Sequence, residues 1–351
     1  MKKGLLLCAS ALVALTLTGC GETSVVSSSS TAPSSSAVAN KTYKIGLGSV
    51  VAVSTVTDST VLKEVDITVA AVIFDSSDKI VSTYIDVIQT PLTYTAAEGE
   101  TAASLVYTAT NKAVKDAGDK IVESKKELGT RYGMSPAKVE WDVQAADYEN
   151  WTVGKTLAQV AAGTDTTGYG TSEVQATGAT IHVSGFSAAI ADAATRVKTY
   201  TAAEAGVAGV GIIANAIGTS ASGFTVTTTI AAASSSADNK VNQDILDEYQ
   251  VPVSLDGSLN AAATQVKDAG ASVVESKKDL GTRYGMSAIG KVEWDVQAKD
   301  LENWAIGKTS AQVLAGIGDD GKGTSDVIAT GATIHVSGLI NAVAEAMAHT
   351  K

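Results

Sequence analysis

The chain is short of cysteine, histidine, aromatic side chains and positive charge, and each shortage removes a class of function. Its two cysteines, Cys8 and Cys20, both lie at the extreme N-terminus. The rest of the chain has no thiol, which excludes disulfide stapling, thiol redox chemistry and cysteine-ligated zinc or iron–sulfur sites. Of three histidines, His182 and His335 have no cluster of further ligands beside them, so no metal site is expected. Aromatic residues make up 5% of the chain, and Ala, Thr, Ser and Val dominate, which suits short strands and small helices. The 26 Lys and Arg against 37 Asp and Glu leave a net charge of -11. An acidic surface repels phosphate backbones and anionic headgroups, so nucleic acid is not an expected partner. No nucleophile–histidine–acid triad stands out, and no substrate pocket is expected.

What is present begins with a targeting signal. Lys2 and Lys3 precede an uncharged apolar run from Gly4 to Leu17, which ends at Leu17-Thr18-Gly19-Cys20. A basic start, a short apolar core and small residues at the cut describe a secretory signal peptide, residues 1–19. The run is too short to serve as a permanent membrane span. Cys20, directly after the small residues, resembles the acylated cysteine of the bacterial lipobox, which implies a lipid anchor in the bilayer on the extracytoplasmic face. Residues 20–40 are rich in serine, with runs at Ser27–Ser30 and Ser34–Ser36, and cannot bury enough apolar surface to fold. As a flexible coil such a linker has a root-mean-square reach of about 25 Å.

The strongest internal signal is a duplication. The run VKDAGDKIVESKKELGTRYGMS from Val114 returns from Val266 as VKDAGASVVESKKDLGTRYGMS. KVEWDVQAADYENWTVGKT from Lys138 returns from Lys291 as KVEWDVQAKDLENWAIGKT, and ATGATIHVSG from Ala176 returns unchanged from Ala329. A period of about 150 residues is domain-sized and too long for a solenoid. The expectation is a tandem pair, residues 41–199 and 200–351, each folding separately. Each unit reads as strand, polar turn at Asp78-Lys79 or Asn239-Lys240, and strand. A helix carrying Val114, Ala117, Ile121 and Val122 follows, with Gly129 as its C-cap. The unit closes with a short strand, Ala179 to Val183, and a helix capped by Ser184 with Ile190, Ala194 and Val197 inward. In the second unit Ser337 caps, and Leu339, Val343 and Met347 point inward. The class is α+β.

Thr177-Gly178-Ala179-Thr180 and Thr330-Gly331-Ala332-Thr333 each offer a hydroxyl beside residues with almost no side chain, which lets a bulky reagent approach. A helix start downstream favours phosphate. A turn entering a strand explains the same residues equally well. His182 and His335 follow two residues after the last threonine, on the same face if the segment is a strand. They read either as neighbours of a bound group or as ordinary strand histidines. The four tryptophans form matched pairs. Trp141 and Trp294 read as core, and Trp151 and Trp304 as candidates to border a ligand ring. Gly154-Lys155-Thr156 and Gly307-Lys308-Thr309 fail as phosphate loops, because Glu149 and Glu302 stand where the earlier glycine is required. Thr156 and Thr309 read as helix caps, with Lys155 and Lys308 free to meet a phosphate. Asp319-Asp320-Gly321 reads as a solvated turn.

The two TGAT segments, together with KKELGTRYGM, EWDVQA and VGKT, resemble the FMN-binding domain family. The lipobox, serine linker and tandem units match its Gram-positive lipoproteins of extracellular electron transfer, and the resemblance covers nearly all of the chain beyond the signal peptide. It implies two tandem FMN-binding domains, with FMN attached through a phosphoester to Thr180 and Thr333 by an FMN:protein transferase. It implies a membrane quinone-linked electron donor and an extracellular acceptor, and an electron carrier in place of an enzyme. The family's usual acidic residue six positions before the threonine is Val174 or Val327 here, and the acid stands one step earlier, at Glu173 and Asp326. The competing expectation is a non-redox surface lipoprotein that binds a solute or a partner.

Overall fold

The computed structural model describes residues 39–54, 63–95, 104–106, 122–134, 138–220, 223–254, 259–267 and 272–350. The signal segment, Cys20 and the linker up to residue 38 lie outside them, as do Val114, Ala117 and Ile121. Ala39–Lys351 forms one compact unit. It is mixed α+β, with two antiparallel sheets and short helices.

The first copy contains β1 (Lys41–Ser54), β2 (Lys63–Phe74), β3 (Ile80–Thr95), β4 (Ser104–Val106) and, after its helices, β5 (Val197–Ala202). The sheet order is β4-β3-β2-β1-β5. Its helices are α1 (Lys125–Leu128), α2 (Trp141–Thr152), α3 (Leu157–Ala162), α4 (Ser172–Gln175) and α5 (Ser184–Ala193). The second copy contains β6 (Val207–Ser220), β7 (Gly223–Ser235) and β8 (Val241–Ser254), in the order β6-β7-β8. Its helices are α6 (Lys277–Leu280), α7 (Trp294–Ala305), α8 (Ser310–Leu314), α9 (Ser325–Ile328) and α10 (Ser337–Ala348).

The expected hairpins are present. Asp78 and Asn239 take φ of 60° and 57°, a left-handed conformation these two residue types tolerate best after glycine. Asp75 Oδ1 accepts from the N–H groups of Ser77 and Lys79, and Ser236 Oγ from that of Lys240. Beyond the strand–turn–strand reading, the first copy has β1, β4 and β5 and the second has β6; β1 and β6 interleave glycine with Val and Ile. Their glycines have a packing role. A Cβ on Gly46 or Gly48 would lie 2.1 or 2.0 Å from the carbonyl oxygens of Ala193 and Ala189 in α5. On Gly209 and Gly211 it would lie 2.1 and 1.9 Å from those of Ala346 and Ala342 in α10. The long helix of each copy thus lies directly on strand backbone.

Each sheet buries both faces. One covers its own helices: Ala70, Val72 and Ile85 with Trp141, Tyr148 and Ile190 in the first copy, Ala231 and Leu246 with Trp294, Leu339 and Val343 in the second. The other faces meet each other in one core that includes Ile45, Leu47, Ile67, Val210, Ile230 and Tyr249. Strand β1 packs on β7 and β8, its counterpart β6 packs on β2 and β3, and β2 packs on β7. These contacts describe an approximate two-fold between the copies. The copies therefore share a core, contrary to the expectation of separately buried interiors. The expected junction at residue 200 falls inside β5, which pairs with β1.

Ionic contacts run across the seam. Arg196, just before β5, pairs with Asp192 of its own copy and with Asp247 and Asp279 of the other. Lys198 reaches the fully buried Glu302, which Lys278 also meets. His349, at the position matching Arg196, stacks on Tyr84 with ring centroids 5.0 Å apart.

Two helix expectations need correction. In the second copy the described ends of the segment matching Val114–Val122 are not helical: Val266 is bridged to Val274, and the Val273 N–H donates to Val51 O. A strand partner outweighs the helical spacing there. The helix begins later, at α1 and α6, capped by Ser124 and Ser276, with Gly129 and Gly281 as C-caps. Val197 is in β5 and 39% exposed, so it is not part of the helix stripe, whereas Leu339, Val343 and Met347 are buried as expected.

Candidate functional site

The TGAT segments sit in the outer helical layer of each copy. Each follows a one-turn helix, α4 or α9, and is a turn and an extended stretch leading to the last long helix. The expected strand from Ala179 to Val183 does not form. One isolated bridge, His182 to Tyr169 or His335 to Lys322, is all the pairing there. Ser184 and Ser337 are not caps: the N-caps are Val183 and Val336, without a side-chain cap. The N–H groups of Val183 and Ser184 both donate to Gly168 O, and those of Val336 and Ser337 to Gly321 O, which ties the helix start to the preceding loop.

Within the turn every residue has a defined task. Thr177 and Thr330 donate their hydroxyls back to Val174 O and Val327 O, both at 2.7 Å. Gly178 and Gly331 have φ of 115° and 113°, outside the range of L side chains. A Cβ there would also strike Asp147 Oδ2 at 2.2 Å or Asp300 Oδ2 at 2.5 Å. Ala179 and Ala332 are fully buried. Thr180 and Thr333 are exposed, yet anchored from behind. Gln144, 1% exposed in α2, accepts from Thr180 N at 2.9 Å and from Thr180 Oγ1 at 2.8 Å through the same Oε1. Its Nε2 donates to Val139 O at 2.7 Å. Gln297 repeats this with Thr333 at 2.8 and 2.9 Å and with Val292 O at 2.8 Å. The hydroxyl proton is thus directed inward. Neither glutamine was a sequence candidate; the unchanged WDVQA was the signal that held them.

Trp141 and Trp294 are core, at 5% and 4% exposure. Trp151 and Trp304 are buried too, at 8% each, and their rings lie against Gly163 and Gly316, where a Cβ would come within 2.0 and 2.3 Å. Trp151 Nε1 donates to Glu173 Oε1 and Trp304 Nε1 to Asp326 Oδ2, both at 2.8 Å. This accounts for the shifted acid: Val174 and Val327 point into the core, while the acids one position earlier hold the tryptophans. Lys155 covers the Trp151 ring at 4.6 Å and meets Glu173 at 3.0 Å. Its hydrogen bond, with that of Trp151, holds the Glu173 carboxyl below the usual range. Lys308 covers Trp304 at 4.5 Å and donates to Trp304 O at 2.7 Å. The GKT segments extend the sheets: Ile80 and Val241 exchange backbone bonds with Gly154-Lys155 and Gly307-Lys308. Thr156 and Thr309 cap α3 and α8 as expected, completed by Gln159 and Gln312. His182 and His335 are exposed, and His182 has an aromatic neighbour, Tyr169 at 3.9 Å. Asp319-Asp320-Gly321 is a surface turn, with Gly318 N donating to Lys322 O at 2.7 Å.

The site brings together Thr180, Gly178, Gln144 and Asp147 in one copy, and Thr333, Gly331, Gln297 and Asp300 in the other. The tryptophan–lysine–acid group is a separate, closed cluster in each. Comparison of the chain with family models, curated proteins and solved structures finds no match.

Proposed function

We propose that the chain is a lipid-anchored, extracytoplasmic electron carrier built of two tandem FMN-binding domains, with FMN joined by a phosphoester to Thr180 and Thr333. The observation that carries this reading is the same exposed threonine hydroxyl, held by a buried glutamine and flanked by a glycine that admits no side chain, in both copies. The geometry fits attachment chemistry. With its proton given to Gln144 Oε1, Thr180 Oγ1 keeps its lone pairs for an incoming phosphorus. A glutamine amide is no base, so as the O–P bond forms and the phosphoanhydride bond of an activated flavin dinucleotide breaks, releasing its nucleoside monophosphate half, the threonine proton goes to a group of the FMN:protein transferase. After attachment the oxygen no longer donates, and Gln144 keeps the Thr180 N–H, so the turn stays in place. Once attached, FMN supplies reversible electron transfer at its ring, and the protein supplies position and tether. The quinone-linked donor at the membrane and the extracellular acceptor are the partners this reading requires. Acylated Cys20 and the linker would hold the carrier between them.

A solute-binding role has one feature in its favour, a cleft of about 290 Å³ in the first copy, lined by Lys44, Phe74, Asp78, Leu157, Ala194 and Val197. In the second copy the position of Ala194 is Met347, which is buried.

The test is intact mass and in-gel flavin fluorescence of the full chain made with the transferase, beside Thr180→Val, Thr333→Val and the double variant. Each single change should remove one FMN, and the double change all covalent flavin. A double variant that still fluoresces after denaturation would move attachment elsewhere. A wild-type chain without flavin would end the carrier reading.

A further inference from the structure

Two valines at the start of α2, Val139 just before the N-cap Glu140 and Val143 in the first turn, are left in water. Val139 is 53% exposed and Val143 48%, and their counterparts Val292 and Val296 are 54% and 46% exposed. A single exposed valine is ordinary. Here a pair at i and i+4 recurs in both copies, while Ala146, Tyr148 and Thr152 of the same helix are Lys299, Leu301 and Ala305 in the other. Burial does not account for the pair, because neither valine is buried in either copy.

Their position relative to the threonine is specific. Gln144 follows Val143, and its one amide spans Val139 O and Thr180 Oγ1. Those two atoms are therefore within about 8 Å of each other. Asp147, one turn after Val143 on the same face, borders Gly178. The TGAT turn thus runs beside this face, with the valines at its threonine end and the acid at its glycine end. Val153 and Ile306 are exposed in both copies too, but each stands alone at the C-cap of α2 or α7, the end of the helix away from the valine pair; two further candidates among the described residues are closed or unshared. Trp151 and Trp304 are buried against glycine backbone under a lysine. Tyr169, beside His182, is Lys322 in the second copy.

We propose that Val139 and Val143, and Val292 and Val296, form the wall on which the isoalloxazine ring of each attached flavin lies. This rests on the attachment reading above. A ring tethered by a ribityl phosphate must come to rest near its threonine, and the apolar faces of the ring are best placed on the nearest exposed apolar surface. The valines then shield one face of the ring from water.

The experiment uses the full chain, made with the transferase in a Thr333→Val background so that Thr180 alone is loaded. It compares the parent with Val139→Ser/Val143→Ser and with Val139→Leu/Val143→Leu. Intact mass reads loading. Iodide quenching of flavin fluorescence and the vibronic shoulder of the visible band read the ring's surroundings. The serine pair should stay loaded, be quenched several-fold more steeply and lose the shoulder, whereas the leucine pair keeps the parent's values. A loaded serine pair with parental quenching and band shape overturns the wall. So does a serine pair that fails to load, which would assign the valines to the transferase contact. An unloaded parent is distinguished by its mass and removes the attachment reading, and the wall with it.

Discussion

Replacing Gly178 by alanine tests the central geometry of the turn, because its cost has two separable parts. At φ of 115° an L residue is strained, by about 1–3 kcal/mol. The new Cβ would also sit 2.2 Å from Asp147 Oδ2. That oxygen ends a short side chain and can swing aside, at a rotamer cost of about 0.5–1.5 kcal/mol. The sum is roughly 2–4 kcal/mol. For a cooperative unit of this size 1 kcal/mol lowers Tm by about 1.5 °C, so Gly178→Ala should melt roughly 3–6 °C below the parent. Differential scanning calorimetry of Gly178→Ala, Asp147→Ala and the double variant closes a cycle. Removing the carboxylate should return the smaller, steric part and leave the backbone part. Gly331→Ala with Asp300→Ala is an independent repeat, since Gly331 has φ of 113° and its clash is at 2.5 Å. A Gly178→Ala protein within about 0.5 kcal/mol of the parent, or full rescue by Asp147→Ala, would refute the strained-turn account.

Two further outcomes follow from the seam between the copies. Burial pushes the Asp247 carboxyl up to about 6, against the opposing pull of Lys278, Ser276 and Arg196. The native state then holds this proton more tightly than the unfolded chain, so the contribution of Asp247 is fully present below about pH 4 and is lost as pH rises through 6. Denaturant unfolding should show the stability of the parent relative to Asp247→Asn falling between pH 4 and 6 and flat above 7; a constant difference would remove Asp247 as a source of pH dependence. A fragment from Ala203 to Lys351 uncovers Val210, Ile212, Ile230, Ile245 and Tyr249 at once, a larger apolar face than soluble monomers expose. Light scattering should find it associated, most simply as a two-fold pair imitating the intact seam, and a folded monomer would argue against a shared core.

Several features were legible in the residues alone because they depend on neighbours in the chain. The Asp78 and Asn239 turns follow from local backbone preference and side-chain hydrogen bonds. The Thr156 and Thr309 caps follow from Gln159 and Gln312 three residues on. The duplication, and the marking of TGAT and WDVQA as segments to watch, needed only the sequence. Tertiary structure decided the rest. The strand expected at Ala179–Val183 has no neighbour with which to build a ladder, so it stays an extended link with one bridge. The spacing from Val114 to Val122 predicts a helix, yet in the second copy Val266 bridges Val274 and the Val273 N–H donates to β1. The same alternation of apolar residues in β1, β2, β7 and β8 is compatible with two closed domains or with one shared core. Only the packing of sheet on sheet shows which, because a face of Ile, Val and Leu records that it is buried and carries no record of its partner.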